Sequence, residues 1–289
     1  MAQLATHTDG NSGPGDLEQA AARPWSQRLA GALMLPKEHG AWAMLLMPYL
    51  LGTLVAGWGA GRPSLLLLTS ILTLFTASRP LELALRDRRS DAVARLVLYA
   101  GLGGATGVFL LIGYQRWALL PVAATAGGAL GAQLLLRRRR LDRTWPARLV
   151  SIAALSATGP AAYYAATGAL DRRTLALWLI ALLYSGASVF YVRLYYRPPS
   201  KQKGDAGERA RRQMLVYLIV AVVVMAGATI VGWFPPLGVV VLIPLAAKLL
   251  MAWGKRDSRP SLKRIGMTEM GYSGLFVVLA TTAFTLWKP

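Results

Sequence analysis

The sequence predicts an all-α, polytopic membrane protein of about nine transmembrane helices, on three observations. More than half of its residues are apolar (55%), 16% are charged and the mean hydropathy is +0.42, a balance that a water-soluble chain of 289 residues meets only by exposing a large apolar surface. The apolar residues fall into runs of about 20, the helical length that crosses a hydrocarbon core of roughly 30 Å. The basic residues fall between these runs, on alternate loops. A net charge of +19 would suit nucleic acid if it were gathered on one folded face, and its dispersal among the loops argues against that partner. Without cysteine, no disulfide, thiolate nucleophile or cysteine metal site is available.

Taken in order, residues 1–23 are rich in Asp, Ser, Gly and Pro, hold no apolar core preceded by positive charge, and read as a disordered cytoplasmic arm rather than a cleaved signal peptide. Over 24–35, Trp25, Leu29, Ala32 and Leu33 recur at helical spacing while Arg28 faces away, the pattern of an amphipathic helix lying in the membrane interface. Residues 36–289 form a single transmembrane domain whose apolar runs lie near 41–60, 64–82, 96–114, 117–136, 147–169, 174–194, 214–232, 236–253 and 267–287. The joint Gly232-Trp233-Phe234-Pro235-Pro236 is short and apolar, so the seventh and eighth runs are either two crossings or one re-entrant hairpin. Pro80 kinks the second helix or starts a short following one, because the residue before a proline is pushed away from helical angles. The stretch 195–213, with Pro198-Pro199 and mixed charge, reads as a loop.

The basic residues test this division, because they are retained on the cytoplasmic side. Only Arg62, Arg116, Arg172, Arg173 and Lys288 fall on one set of loops, which leaves 27 of the 32 on the other, Lys248 among them. The expected topology therefore has the amino terminus inside, the carboxyl terminus outside and an odd number of crossings. The run Arg137 to Arg140 is expected to anchor the protein against anionic headgroups of the membrane lipids. "GLGGATG" at 101–107 lies within a transmembrane run, without the strand that a dinucleotide fingerprint needs. Gly103 and Gly107, like Gly127 and Gly131, are four apart and are expected to let helices approach closely.

Several polar residues stand where they cost energy. Glu82 closes the second helix three residues from Arg79 and four from Arg86, so the three can share a face. Tyr184, Ser188, Tyr191 and Tyr195 form a polar stripe at helical spacing beside Arg193. Glu269 lies about a turn inside the last helix, with Tyr272 and Ser273 three and four residues on. Lys37, Glu38 and His39 precede the first helix at the same side. Any of these residues alone is explained as an anchor, a surface ion pair or an interfacial aromatic; together they suggest a cytoplasm-facing polar pocket. In that pocket His39, Glu38, Glu82 and Glu269 are the candidate catalytic groups, and Lys37, Arg79, Arg193, Tyr184 and Tyr191 the candidate ligand-binding groups.

"LPKEHGAWAMLLMPYLLGTL" at 35–54, "ASRPLE" at 77–82 and "RIGMTEM" at 264–270 resemble the YwiC-like bacterial membrane proteins, along most of 35–289. More distantly, the nine helices, the interfacial helix before the first crossing and "LLMPYLLG" at 45–52 resemble UbiA-type intramembrane prenyltransferases. That likeness implies a helix bundle with a central cavity and an active site at its cytoplasmic mouth. The aspartate-rich motifs that hold magnesium in that family are not kept. "RPLELALRDRRSDA" retains only the spacing of Asp87 and Asp91, and "FYVRLYYRPPS" has no acid. Hard divalent cations need oxygen ligands, so no metal is expected, and arginine is the residue type left to hold a phosphate directly. The sequence names no cofactor and no protein partner.

Three functions follow as expectations. The first is binding or modification of an isoprenoid or a phosphate-bearing lipid, with Arg79 and Arg193 holding the ligand while His39 or a carboxylate moves a proton. The second is transport of a small solute, against which the chain shows no inverted repeat. The third is a non-catalytic assembly or accessory role.

Overall fold

The computed structural model describes residues 39–57, 61–87, 90–139, 145–195, 205–254 and 262–287. Among these the chain is helical, with no strand: α1 (His39–Ala56), α2 (Gly61–Asp87), α3 (Ser90–Gly113), α4 (Leu119–Arg138), α5 (Trp145–Ser156), α6 (Thr158–Thr167), α7 (Arg172–Tyr195), α8 (Asp205–Ile230), a 3-10 segment (Pro236–Leu242) running directly into α9 (Ile243–Gly254), and α10 (Leu262–Thr285). Five stretches are long and apolar enough to cross a bilayer: 61–85, 91–113, 119–136, 148–167 and 211–230. The protein is a multi-pass, all-α membrane protein. The amino-terminal arm and the expected interfacial helix at 24–35 lie outside the described residues.

The bundle has two halves that share a central pair. α1 and α6 cross at Gly52 and Gly159, where a Cβ on Gly52 would overlap the Gly159 carbonyl. The missing side chains let the two backbones touch. On one side of this pair Tyr49, Leu67, Leu110, Leu119, Ala162 and Tyr164 form a core drawn from α1, α2, α3, α4 and α6. On the other, a larger core of Leu51, Leu177, Ile180, Met225, Leu245, Phe276 and Phe284 joins α1 to α7, α8, α9 and α10.

Four sequence readings are corrected. The second helix continues through Pro80 without a break, and Arg79 stays helical; a proline is tolerated in a membrane helix where neighbouring helices and Ser/Thr hydroxyls stabilise the freed backbone. Here α3 packs along α2. The fifth run, expected to be one helix, is divided at Ala157 into α5 and α6, because Pro160 has no N–H to continue the ladder; Thr158 Oγ1 instead binds the Leu155 carbonyl and, across the bundle, that of Leu45 (2.8 and 2.9 Å). The expected loop 195–213 is helical from Asp205 onward, where an acid opens the helix and Glu208 precedes Arg212 at the spacing of a helical ion pair. Finally, Gly103 and Gly107 do face α2, with Ser70 Oγ donating to the Gly103 carbonyl at 2.8 Å, but a Cβ placed on Gly127 or Gly131 would meet nothing within 4 Å among the described residues.

One end of the bundle is tied by polar contacts. Arg116 Nε donates to the Ala165 carbonyl (3.0 Å), Tyr163 Oη to Asp171 Oδ2 (2.8 Å) and Arg173 Nη2 to the Trp287 carbonyl (2.7 Å). These bonds place the α3–α4 turn, the α6–α7 turn and the end of α10 at one level. Four basic residues of the sparsely charged loops, Arg62, Arg116, Arg172 and Arg173, belong to this end. α8 also stops there: Gly232 is left-handed (φ 75°), and Trp233 N–H returns to the Ala228 carbonyl at 2.8 Å, closing the helix before two prolines.

Candidate functional site

α3 and α4 follow each other in the chain, yet α3 packs on α2 while α4 packs on α5 and α6. Between the two groups lies a cavity of about 950 Å³. Along α2 its wall runs from Leu67 to Glu82, along α3 from Leu96 to Leu111 and along α4 from Leu119 to Leu134. Each stretch is about 22 Å long at 1.5 Å per residue, most of the thickness of a hydrocarbon core. Ala100, Gly103, Gly104, Gly107, Ala123, Ala126 and Gly127 supply much of the wall, and their small side chains leave the space open.

The charged groups of this cavity are confined to one end, opposite the tied end. Arg79, Glu82 and Arg148 line it there, with Gln133 and Ser151 hydrogen-bonded between α4 and α5 beside them. Arg79 Nη1 meets Glu82 Oε2 at 3.0 Å, with both side chains partly exposed (38% and 28%). An i, i+3 pair of this kind contributes about 0.2–0.5 kcal/mol. The antiparallel register of α2 and α3, set by Ser70 on Gly103, brings Arg95 to the same level, and Arg95 Nη1 is buried with no hydrogen-bond partner among the described residues.

A second polar cluster lies in the other half of the bundle. Lys248 of α9 is fully buried, and its Nζ donates to Glu269 Oε2 of α10 at 2.7 Å and to Ser188 Oγ of α7 at 3.1 Å. Ser188 Oγ in turn donates to Glu269 Oε2 at 3.1 Å. The ammonium faces three aromatic rings, with centroids at 4.5 Å (Tyr184), 5.6 Å (Tyr191) and 5.7 Å (Tyr272). Tyr184 is fixed by stacking on Phe276 at 4.0 Å and by a 3.2 Å hydrogen bond with Ser273. Ser188, Lys248 and Glu269 lie six or seven residues from the ends of their helices on the same side, about 10 Å deep at 1.5 Å per residue.

The structure therefore distributes the sequence-derived candidates over two places. Arg79 and Glu82 line the cavity. Glu269, Tyr184 and Tyr191 surround Lys248 in the cage. His39 opens α1, which packs on α10, but its side chain and that of Arg193 lie outside the described residues, as do Lys37 and Glu38 altogether. Sequence reasoning missed Lys248 by counting it with the loop anchors. A signal was present: Val241, Leu242, Leu245, Lys248 and Leu249 recur at helical spacing, so the lysine sits on the core-facing stripe of its helix. Arg148 and the Gln133–Ser151 contact were missed because nothing in their spacing links α4 and α5 to the end of α2.

Residues 35–163 match the family described as YwiC-like protein. A Bacillus subtilis (strain 168) protein described as "Uncharacterized protein YwiC" is 29% identical over 165 residues, covering 57% of this chain and 67% of the relative. No solved structure matches. Every residue that lines the cavity falls within the matched segment, whereas the Lys248 cage lies beyond it.

Proposed function

We propose that residues 35–163, the segment that matches the YwiC-like family, hold an amphiphilic membrane lipid, its apolar chain lying in the cavity and an anionic headgroup against Arg79 and Arg148. The single observation that carries the reading is the polarity of the cavity along its length: mostly apolar and small residues along a wall of about 22 Å, with two arginines and a carboxylate confined to one end of it. An apolar solute would leave those charges without a purpose, and a small ionic solute would leave the apolar length empty. An isoprenoid or other lipid bearing a phosphate meets both halves, since guanidinium groups bind phosphate through charge-assisted, paired hydrogen bonds. Glu82, beside Arg79, is the carboxylate placed to exchange a proton with such a headgroup if the lipid is modified there.

In this reading the charged end of the cavity faces the cytoplasm of a bacterial inner-membrane protein with nine crossings. The eighth crossing is the 3-10 segment and α9 in series, about 14 Å at 2.0 Å per residue plus about 18 Å at 1.5 Å per residue, enough for a hydrocarbon core. The test is native mass spectrometry of the protein purified in mild detergent. A retained phosphate-bearing lipid that is lost from Arg79→Gln/Arg148→Gln supports the proposal. A protein that carries no lipid, or one whose lipid is unaffected by that double variant, overturns it.

A further inference from the structure

α4 is held at its two ends and stands free between them. At the tied end Leu119 is buried with Leu110 and Tyr164, and the Ala118 N–H reaches Tyr164 Oη at 3.4 Å. At the charged end Gln133 is hydrogen-bonded to Ser151 of α5. Between these anchors Ala123, Ala124, Thr125, Ala126, Gly127 and Gly128 are all exposed, over more than one helical turn, so no side of the helix is covered there by the described residues. Ala123, Ala126 and Gly127 line the cavity, whereas Ala124, Thr125 and Gly128 fall on the opposite side of the helix. The cavity and the surrounding bilayer thus lie on two sides of one unsupported stretch.

α3 leans on α2 and α4 on α5 and α6, so the two helices of this hairpin part beyond their turn. Gly101 adjoins Gly104 and Val108 at helical spacing, and Gly131 adjoins Gly127. Neither Gly101 nor Gly131 lines the cavity, both are exposed, and a Cβ on either would meet nothing within 4 Å among the described residues. Each stands 12 residues from the turn between Gly113 and Leu119, about 18 Å at 1.5 Å per residue, so the two mark one level on the opposite edges of a slot. Toward the tied end the wall is apolar, with Leu67, Leu110, Leu111 and Leu119. The hydroxyls on the way are engaged with backbone, Ser70 with the Gly103 carbonyl and Thr158 with those of Leu45 and Leu155. A charged headgroup therefore finds no partner beyond the charged end, and burying it unpaired is strongly unfavourable.

From this arrangement we infer that the lipid enters and leaves the cavity sideways, through the slot between α3 and α4, from the leaflet at the charged end, and that the protein does not carry it to the other leaflet. The inference rests on the lipid-binding reading above and adds to it a route and a leaflet. The apolar chain passes from the hydrocarbon layer into the cavity without meeting water. The headgroup stays throughout at the level of Arg79 and Arg148, which are partly exposed and exposed. Gly127 and Gly128, poor helix formers, fall in the unsupported stretch of α4 and let it yield as the chain passes.

The chain has no cysteine, so a pair introduced at the slot is the sole target of a thiol reagent. Gly101→Cys/Gly131→Cys is produced in deuterated medium, bridged in the membrane with bis-methanethiosulfonates of graded length, purified in mild detergent and reconstituted into vesicles of unlabelled lipid from the same host. Mass spectrometry of the retained lipid follows replacement of the label. Replacement should be at least several-fold slower in the bridged protein, recover on reduction, and be normal in reagent-treated single-cysteine variants. Should no length bridge the pair, Gly101→Trp/Gly131→Trp narrows the same slot and should slow replacement at unchanged occupancy. Nitrobenzoxadiazole-labelled phosphatidylglycerol, followed by dithionite quenching, should cross these vesicles no faster than protein-free ones. Retained lipid that is replaced equally fast behind the bridge or the tryptophans, or faster crossing of the bilayer, would overturn the inference and leave the binding site standing. Absence of any retained lipid before bridging would overturn the binding site itself, and the inference with it.

Discussion

Gly52 of α1 and Gly159 of α6 meet backbone to backbone, and no side chain fits between them. This contact joins the two halves of the bundle, since Leu51 faces one core and Ala161 and Ala162 the other. Gly52→Leu should therefore destabilise the protein by about 1–3 kcal/mol or more, the usual cost of overpacking. Gly127→Ala, which meets nothing within 4 Å, is the neutral control. Thermal unfolding in detergent separates the two, and equal stability of both variants would contradict the crossing.

Filling the cavity should remove its ligand without unfolding the bundle. Gly127 lines the cavity and has open space before it, so Gly127→Leu places a side chain where the lipid is proposed to lie. The expected outcome is a folded protein of unchanged elution profile with at least a several-fold loss of co-purified lipid. Undiminished lipid in that variant would place it elsewhere on the surface.

The Lys248–Glu269 pair should be intolerant of like charge. Glu269→Lys puts two ammonium groups side by side in the interior, and an uncompensated buried charge costs about 3–5 kcal/mol, a large share of the stability of a typical domain. Folded yield, followed by fluorescence-detected size exclusion, should fall severely. Exchanging the two residues, Lys248→Glu/Glu269→Lys, should recover part of it, but not all, because the ammonium then leaves the centre of the tyrosine cage. A fully tolerated Glu269→Lys would mean that water reaches the pair freely.

Topology has a direct readout. A reporter fused at Pro289 should be periplasmic, and reporters within 137–148 or 197–211 cytosolic. A cytosolic signal at Pro289 would break the nine-crossing arrangement while leaving the helical fold intact.

Neutralising Arg137 to Arg140 should weaken insertion fidelity or binding to anionic vesicles and leave lipid retention in the cavity intact. Arg139 is exposed, as a headgroup contact requires. Loss of the retained lipid from a correctly inserted variant would contradict the anchor role.

Much of this protein is determined locally. The apolar runs, their lengths and the loops that hold the arginines specify a multi-pass helical membrane protein, because in a bilayer a chain must satisfy its own backbone hydrogen bonds. The sequence also marks Glu269, Tyr184 and Tyr191 as unusual, since polar groups inside such runs carry a cost wherever they point. Which partner relieves that cost is a tertiary matter. Lys248 lies 21 residues from Glu269, and Ser188 81 residues, so only the packing of α7, α9 and α10 joins them. The cavity is tertiary for a second reason. Gly103 and Gly127 look alike in sequence, but one is pressed against α2 and the other faces empty space. Small residues permit close approach without requiring it, and whether a helix takes the offer depends on where its neighbours are held.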